Sequence, residues 1–213
     1  MTASDTRPDR RKSYHHGALR STLIETSVAL ARAGGPDRVV LREVARAAGV
    51  SHSAAYRHFA DREALLAEVS RYARAQLGAE MRRRIDQTDD VLLRLGAVGA
   101  AYIDFALSEP GLFRCAFVSH PVAAGDPPAA PSTDDAAPEP FTILGQVLDE
   151  AVHAGLMRSQ RRPGAEIAAW SAVHGLAVLL VDGPLPDTPP AVAFAVDQVL
   201  TLIANGLLNQ TDT

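Results

Sequence analysis

The chain has 213 residues, 47% of them apolar, with a formal charge of −4 and one cysteine. That length supports a full hydrophobic core in one or two domains, while the lone Cys115 excludes an intramolecular disulfide and a cysteine-based zinc site. The charge is unevenly spread: residues 1–85 carry 16 Lys and Arg against 9 Asp and Glu, for +7, and residues 86–213 carry 5 against 16, for −11. A basic front on an acidic back fits a module that meets nucleic acid, mounted on a body that repels it.

Residues 1–13 read as a disordered basic arm with Arg7, Arg10, Arg11 and Lys12. Such an arm follows a phosphate backbone or minor groove, or is simply solvated. A helix is predicted over Gly17–Ala33, with an apolar stripe of Leu19, Leu23, Val28, Leu30 and Ala31, and Gly34-Gly35-Pro36 stops it. His15 and His16 precede it, but neighbours on a helix point to different faces, and no carboxylate or cysteine nearby completes a metal site. No metal or other cofactor is expected.

Leu41 to Arg62 reads as two short helices around a tight turn. Leu41–Ala48 buries Val44, Ala45 and Ala48 and turns Arg42 and Arg46 outward. Gly49 ends it, because the residue after the last turn often needs positive φ. Ser51 can cap a second helix, about His52 to Phe59, whose outer face carries His52, Ser53, Arg57 and Tyr56. These side chains are long enough to reach base edges and phosphates, although a solvated helical hairpin has the same pattern. Residues 14–61 are therefore one helix-turn-helix domain and 62–213 a larger helical body. An all-α fold of about nine helices is predicted.

In that body, Arg62–Ile85 is a long helix capped by Asp61, and Asp89–Ser108 is a second. Glu109-Pro110-Gly111 breaks the chain before a short aromatic helix, Leu112–Ser119. Residues 119–140, rich in Pro, Ala and Asp, are predicted to be a flexible loop. Helices follow at Phe141–Leu156, Ala165–Val181 and Ala191–Leu208, the last apolar on nearly all sides. Such a helix must be covered all round, which assigns the last two helices to a homodimer contact. Ala168, Ala169, Ala172, Gly175, Ala195 and Ala204 allow close packing there, and Leu179, Val199, Leu202 and Ile203 supply apolar area. Cys115, among Phe113, Ala116 and Phe117, reads as a small core residue.

A small-molecule effector pocket is expected between helices of the body. Candidate lining residues are Tyr102, Phe105, Phe113, Phe117, Met157, Trp170 and His174, although aromatics at helical spacing also serve as plain core. The chain has no nucleophile elbow, phosphate-binding glycine loop or convergent carboxylate pair, so no enzyme is expected. No apolar run is expected to approach a membrane span and no leader is expected at the start, which points to the cytoplasm.

The stretch LREVARAAGVSHSAAYRHFADREALL resembles the DNA-binding domain of the TetR family of bacterial transcriptional regulators, and YHHGALRSTLIETSVALA resembles its first helix. Together they cover Tyr14 to Leu66. WSAVHGLAVLLVDG is similar to the Trp…His-Gly segment of the subgroup with a WHG-type regulatory domain. The resemblance implies a ligand-responsive repressor, a dimer on a palindromic operator of double-stranded DNA. A regulator without ligand, or an activator, is the alternative. It implies DNA contacts by Arg42, Ser51, His52, Ser53, Tyr56, Arg57, His58 and Arg62, the last to a phosphate. Val40 departs from the pattern: the family often has Ser or Thr there, which caps the helix and donates to a phosphate, and Val does neither.

Overall fold

The computed structural model describes residues 10–117 and 140–208, with side chains in the first helix from Ala18 onward. Nine α-helices and no strand are present among the described residues: α1 Arg10–Gly34, α2 Leu41–Ala47, α3 His52–Tyr56, α4 Arg62–Ile85, α5 Val91–Ser108, α6 Pro110–Ala116, α7 Pro140–His153, α8 Ala165–Val181 and α9 Pro189–Leu207. The helix α1 starts at Arg10, so Arg10 to Ser13 continue the helix and are not part of an arm. The rest of the predicted arm, residues 1–9, lies outside the described residues, as does nearly all of the predicted loop 119–140. Pro140 instead opens α7.

The three N-terminal helices share a core of Leu23, Val28, Val39, Val44, Ala55 and Phe59. Ser27 is buried with them and donates Oγ–H to the Leu23 carbonyl at 2.7 Å, so its hydroxyl is satisfied inside α1. The long α4 leaves this module and enters the body. Leu65, Leu66, Val69, Ala73, Leu77, Met81 and Ile85 recur at helical spacing along its buried side. At its far end Arg83 donates to Glu80 at 2.6 Å and holds that carboxyl down at about 2; Arg84 spans from Glu80 to Asp104 of α5.

Proline shapes the entry to α6. The Glu109-Pro110-Gly111 segment does not separate two helices by a loop: Pro110 is the first residue of α6, where its missing N–H is not needed. Gly111 then lets α6 come against α1. A Cβ there would stand 2.1 Å from the Ala31 carbonyl oxygen. Arg32 reaches across the same junction to Glu109 at 3.2 Å.

Helices α5 and α9 are both long and apolar enough to cross a membrane, contrary to the expectation that no run approaches such a span. Their burial differs. α5 buries Leu95, Val98, Ala101, Tyr102, Ile103, Phe105 and Ala106 in the body's core. α9 buries only Ile203 and leaves Phe194 and Leu202 67% and 66% exposed. Exposed Ile167, Val178 and Leu179 of α8 add to the apolar surface.

Candidate nucleic-acid interface and ligand cavity

The turn between α2 and α3 is built from local hydrogen bonds. Gly49 has φ of 69°, and its N–H donates to the Arg46 carbonyl at 3.2 Å while the Val50 N–H donates to Ala45 at 3.0 Å. This pair of bonds is the Schellman ending of a helix. Ser51 follows in an extended conformation, and its Oγ accepts the Ala54 N–H at 3.2 Å, capping α3. The backbone thus reverses within four residues and sets α3 across α2. Asp61 repeats the device for α4, accepting the Ala64 N–H at 2.7 Å.

Packing fixes which face of α3 points outward. Ala55 and Phe59 are buried, and the Arg20 guanidinium lies 5.3 Å from the Phe59 ring centre. His52, Ser53, Tyr56 and Arg57 are exposed, His58 is half-buried, and the His52 and Tyr56 rings meet edge to face at 4.6 Å. α3 itself is shorter than predicted, ending at Tyr56 with Arg57 as its C-cap. Among the described residues, Arg42, Arg46 and Arg57 are exposed cations with no ion pair. Their charges are available to an anionic partner without first breaking an internal contact.

Two positions that the family pattern assigns to the DNA backbone are Val40 and Arg62. Val40 is the N-cap of α2 and offers no side-chain bond to the first turn, as its chemistry dictates. Arg62, which the resemblance assigns to a phosphate, has partners within the protein. It donates Nε–H to the Val39 carbonyl at 3.0 Å and Nη2–H to the Pro36 carbonyl at 2.7 Å. It therefore fastens the turn before α2 to the start of α4.

In the body, helices α4, α5, α7, α8 and α9 surround an apolar cavity of about 520 Å³. Tyr102, Phe117 and Trp170 of the predicted set line it. The others do not. His174 stands behind the wall, with Nδ1 2.7 Å from the Tyr102 oxygen. Phe113 packs edge-on to Tyr102, with ring centres 5.9 Å apart. Met157 is buried in the core, and Phe105 faces a separate cleft beside Glu80, Arg83 and Glu109.

Sequence reasoning missed Met81, Phe141, Leu144, Val173, Leu200 and Ile203 in the wall. The signal for the last two was present: a helix apolar on every side has a second flank to cover. Ala169, Ile203 and Ala204, named above for a dimer contact, line the cavity.

The wall's polar point is a short chain of hydrogen bonds. Trp170 Nε1 donates to the Tyr102 hydroxyl oxygen at 3.1 Å, and that oxygen is also bonded to His174. Burial raises the Tyr102 pKa and lowers that of His174, so both are neutral near pH 7. Arg74 reaches the wall from α4, but its Nη1 donates to Ser70 Oγ at 2.8 Å and to the Ala116 carbonyl at 3.4 Å. Burial also pushes the Cys115 thiol up to about 11, as suits a core residue.

The chain matches two protein families. Residues 23–69 match the family described as bacterial regulatory proteins, tetR family, and residues 95–203 match the tetracyclin repressor-like, C-terminal domain. No curated protein matches the chain. Among solved structures, a protein of unknown function from Rhodococcus sp. RHA1 is 28% identical, with a TM-score of 0.73, over 94% of this chain and 100% of that one. A TetR-family transcriptional regulator from Pectobacterium atrosepticum is 20% identical, with a TM-score of 0.69, over 95% of this chain and 99% of that one. A TetR variant from Acinetobacter baumannii AYE, in complex with minocycline, is 19% identical, with a TM-score of 0.60, over 94% and 96%. The C-terminal match alone spans half of the sequence, the helix-turn-helix match covers Leu41 to Arg62, and the chain belongs to the TetR family of bacterial transcriptional regulators.

Proposed function

We propose that the protein is a ligand-responsive repressor that binds a palindromic operator as a dimer and leaves it when a small molecule enters the body. The observation that carries this reading is the apolar cavity walled partly by α4, the helix that leads directly out of the DNA-reading module. A ligand that favours one setting of α4 shifts the spacing of two recognition helices. DNA affinity then falls by the ligand's differential affinity for the two settings, and by no more. The minocycline complex of one structural neighbour supports a ligand site in such a body.

Ser51, His52, Ser53, Tyr56 and Arg57 are the proposed groove contacts, with Arg42 and His58 on the backbone. Five helical residues read few base pairs, so useful specificity needs two copies on two half-sites. The exposed Ile167, Leu179, Phe194 and Leu202 of α8 and α9 are the proposed dimer surface, and an operator in the cytoplasm is the site of action. Retention of the protein's own promoter fragment tests the reading: log affinity should fall linearly with log salt. No retention at low salt refutes DNA binding, and a monomer at micromolar concentration in sedimentation refutes the dimer.

A further inference from the structure

The wall of the cavity carries a charge of one sign. No Asp or Glu is among its described lining residues, and Arg74 of α4 is the only cationic side chain among them. Tyr102 is 2% exposed and its hydroxyl already holds Trp170 and His174, which makes it part of the wall. Thr201 is exposed on α9, and the rest of the lining is aliphatic and aromatic.

Arg74 is held in place from behind. Ser70, one turn earlier on α4, is 1% exposed and donates Oγ–H to the Ala116 carbonyl at 2.8 Å. Arg74 Nη1 donates to the same Oγ at 2.8 Å and to the same carbonyl at 3.4 Å. That carbonyl ends α6, where the helix supplies no N–H of its own to bond it. A hydroxyl and a carbonyl position the guanidinium without cancelling its charge. An incoming anion does not need Arg74 to be free of other partners. A guanidinium presents five N–H donors in a planar fork, and a carboxylate takes two of them side by side.

This charge sorts the possible occupants. A cation gives up its water and meets a like charge. A neutral apolar molecule gains from burial alone. A carboxylate on an apolar body gains the same burial, and the charge-assisted bond to Arg74 offsets the loss of its water. We infer that the effector is an amphipathic carboxylate, with its apolar body in the cavity and its head group on Arg74. This rests on the reading of the cavity as the effector site. The volume of about 520 Å³ lies in the range that drug-sized ligands fill. Because Arg74 stands on α4, the head group bonds the helix that leads into the DNA-reading module.

The single tryptophan makes the test direct, because Trp170 lies in the wall and reports on its occupant. Decanoate, decanol and decylammonium, which share one tail, are titrated into the full chain at pH 7.5 while Trp170 emission is followed. Decanoate should bind about tenfold more tightly than decanol, the worth of one hydrogen bond to a charged group. Decylammonium should bind most weakly. Arg74→Gln should lower the affinity for decanoate about tenfold and leave that for decanol within about twofold, so the neutral probe shows that the cavity is intact. Arg74→Lys keeps the charge and should keep decanoate ahead of decanol. Decanoate should also release the protein from its own promoter fragment.

Decanol or decylammonium binding as tightly as decanoate overturns the ligand class and leaves the cavity reading in place. A preference for decanoate that survives Arg74→Gln overturns the anchor. Decanoate that binds without releasing the promoter fragment overturns the cavity as an effector site and leaves the ligand class. Failure of all three probes to change Trp170 emission overturns both.

Discussion

Replacing Gly111 by alanine adds one methyl group at the point where α6 meets α1. That Cβ would stand 2.1 Å from the Ala31 carbonyl oxygen and 2.7 Å from that of Arg32, where real contacts do not fall below 3.0 Å. Both neighbours are backbone atoms in the last turns of a helix and cannot rotate away. Relief requires α6 to move off α1 by about 1 Å, carrying Phe113 and Cys115 with it. Overpacking of this kind costs about 1–3 kcal/mol. For a chain of this size each kcal/mol lowers Tm by about 2–4 °C, so thermal unfolding should show a fall of about 2–12 °C. Gly96→Ala is the matched control. It lies in α5, its Cβ meets nothing within 4 Å, and helix propensity alone should raise stability by about 0.5–1 kcal/mol. A Gly111→Ala variant as stable as wild type, or no less stable than Gly96→Ala, would refute the close contact of α6 with α1.

Arg57→Ala should weaken operator binding while leaving Tm unchanged, since Arg57 makes no ion pair among the described residues; equal loss on specific and random DNA would make it a phosphate contact. Arg62→Ala should do the reverse. Loss of its bonds to Pro36 and Val39 should lower stability by about 1 kcal/mol, discounted for partial exposure, and leave the salt slope of DNA binding unchanged. A slope lower by about one unit would return Arg62 to the phosphates. His174 gives a pH dependence. Burial lowers its folded pKa, so the unfolded chain binds more protons, and stability is lost as pH falls below about 6.5. The fall in Tm between pH 7.5 and 5.5 should be smaller in His174→Gln; an equal fall in both proteins would contradict a partly buried ring with a lowered pKa.

The helix-turn-helix was readable because its instructions are local. Gly49, Ser51 and Asp61 each act on backbone groups within four residues, so spacing alone gives the geometry. The cavity was only half readable for the opposite reason. Helical periodicity says which residues point inward, and it does not say which inward faces fail to meet. Met157 and Phe105 fit the same pattern as Phe117 and Trp170 yet pack elsewhere. The bonds of Arg62 within the protein were not legible because their acceptors are carbonyls 23 and 26 residues earlier, and no side-chain pattern marks a carbonyl. The early start of α1 shows the same limit from another side: a basic, polar composition describes both a solvated arm and a solvated helix.

The helix α9 has two flanks with different occupants. Leu200 and Ile203 face the cavity, Phe194 and Leu202 face away from the body, and Arg161 ties its end through the carbonyls of Gly206 and Leu208. A helix so lightly held by its own chain belongs to the low end of local stability, where amides open to solvent before the fold as a whole does. In dilute protein its backbone hydrogens should therefore exchange sooner than those of α4 or α5. Either an occupant of the cavity or a second copy on the outer flank would slow them, and each would reduce the ordering that the other has still to impose. Ligand and partner would then strengthen one another's hold without touching, through the firmness of one shared helix.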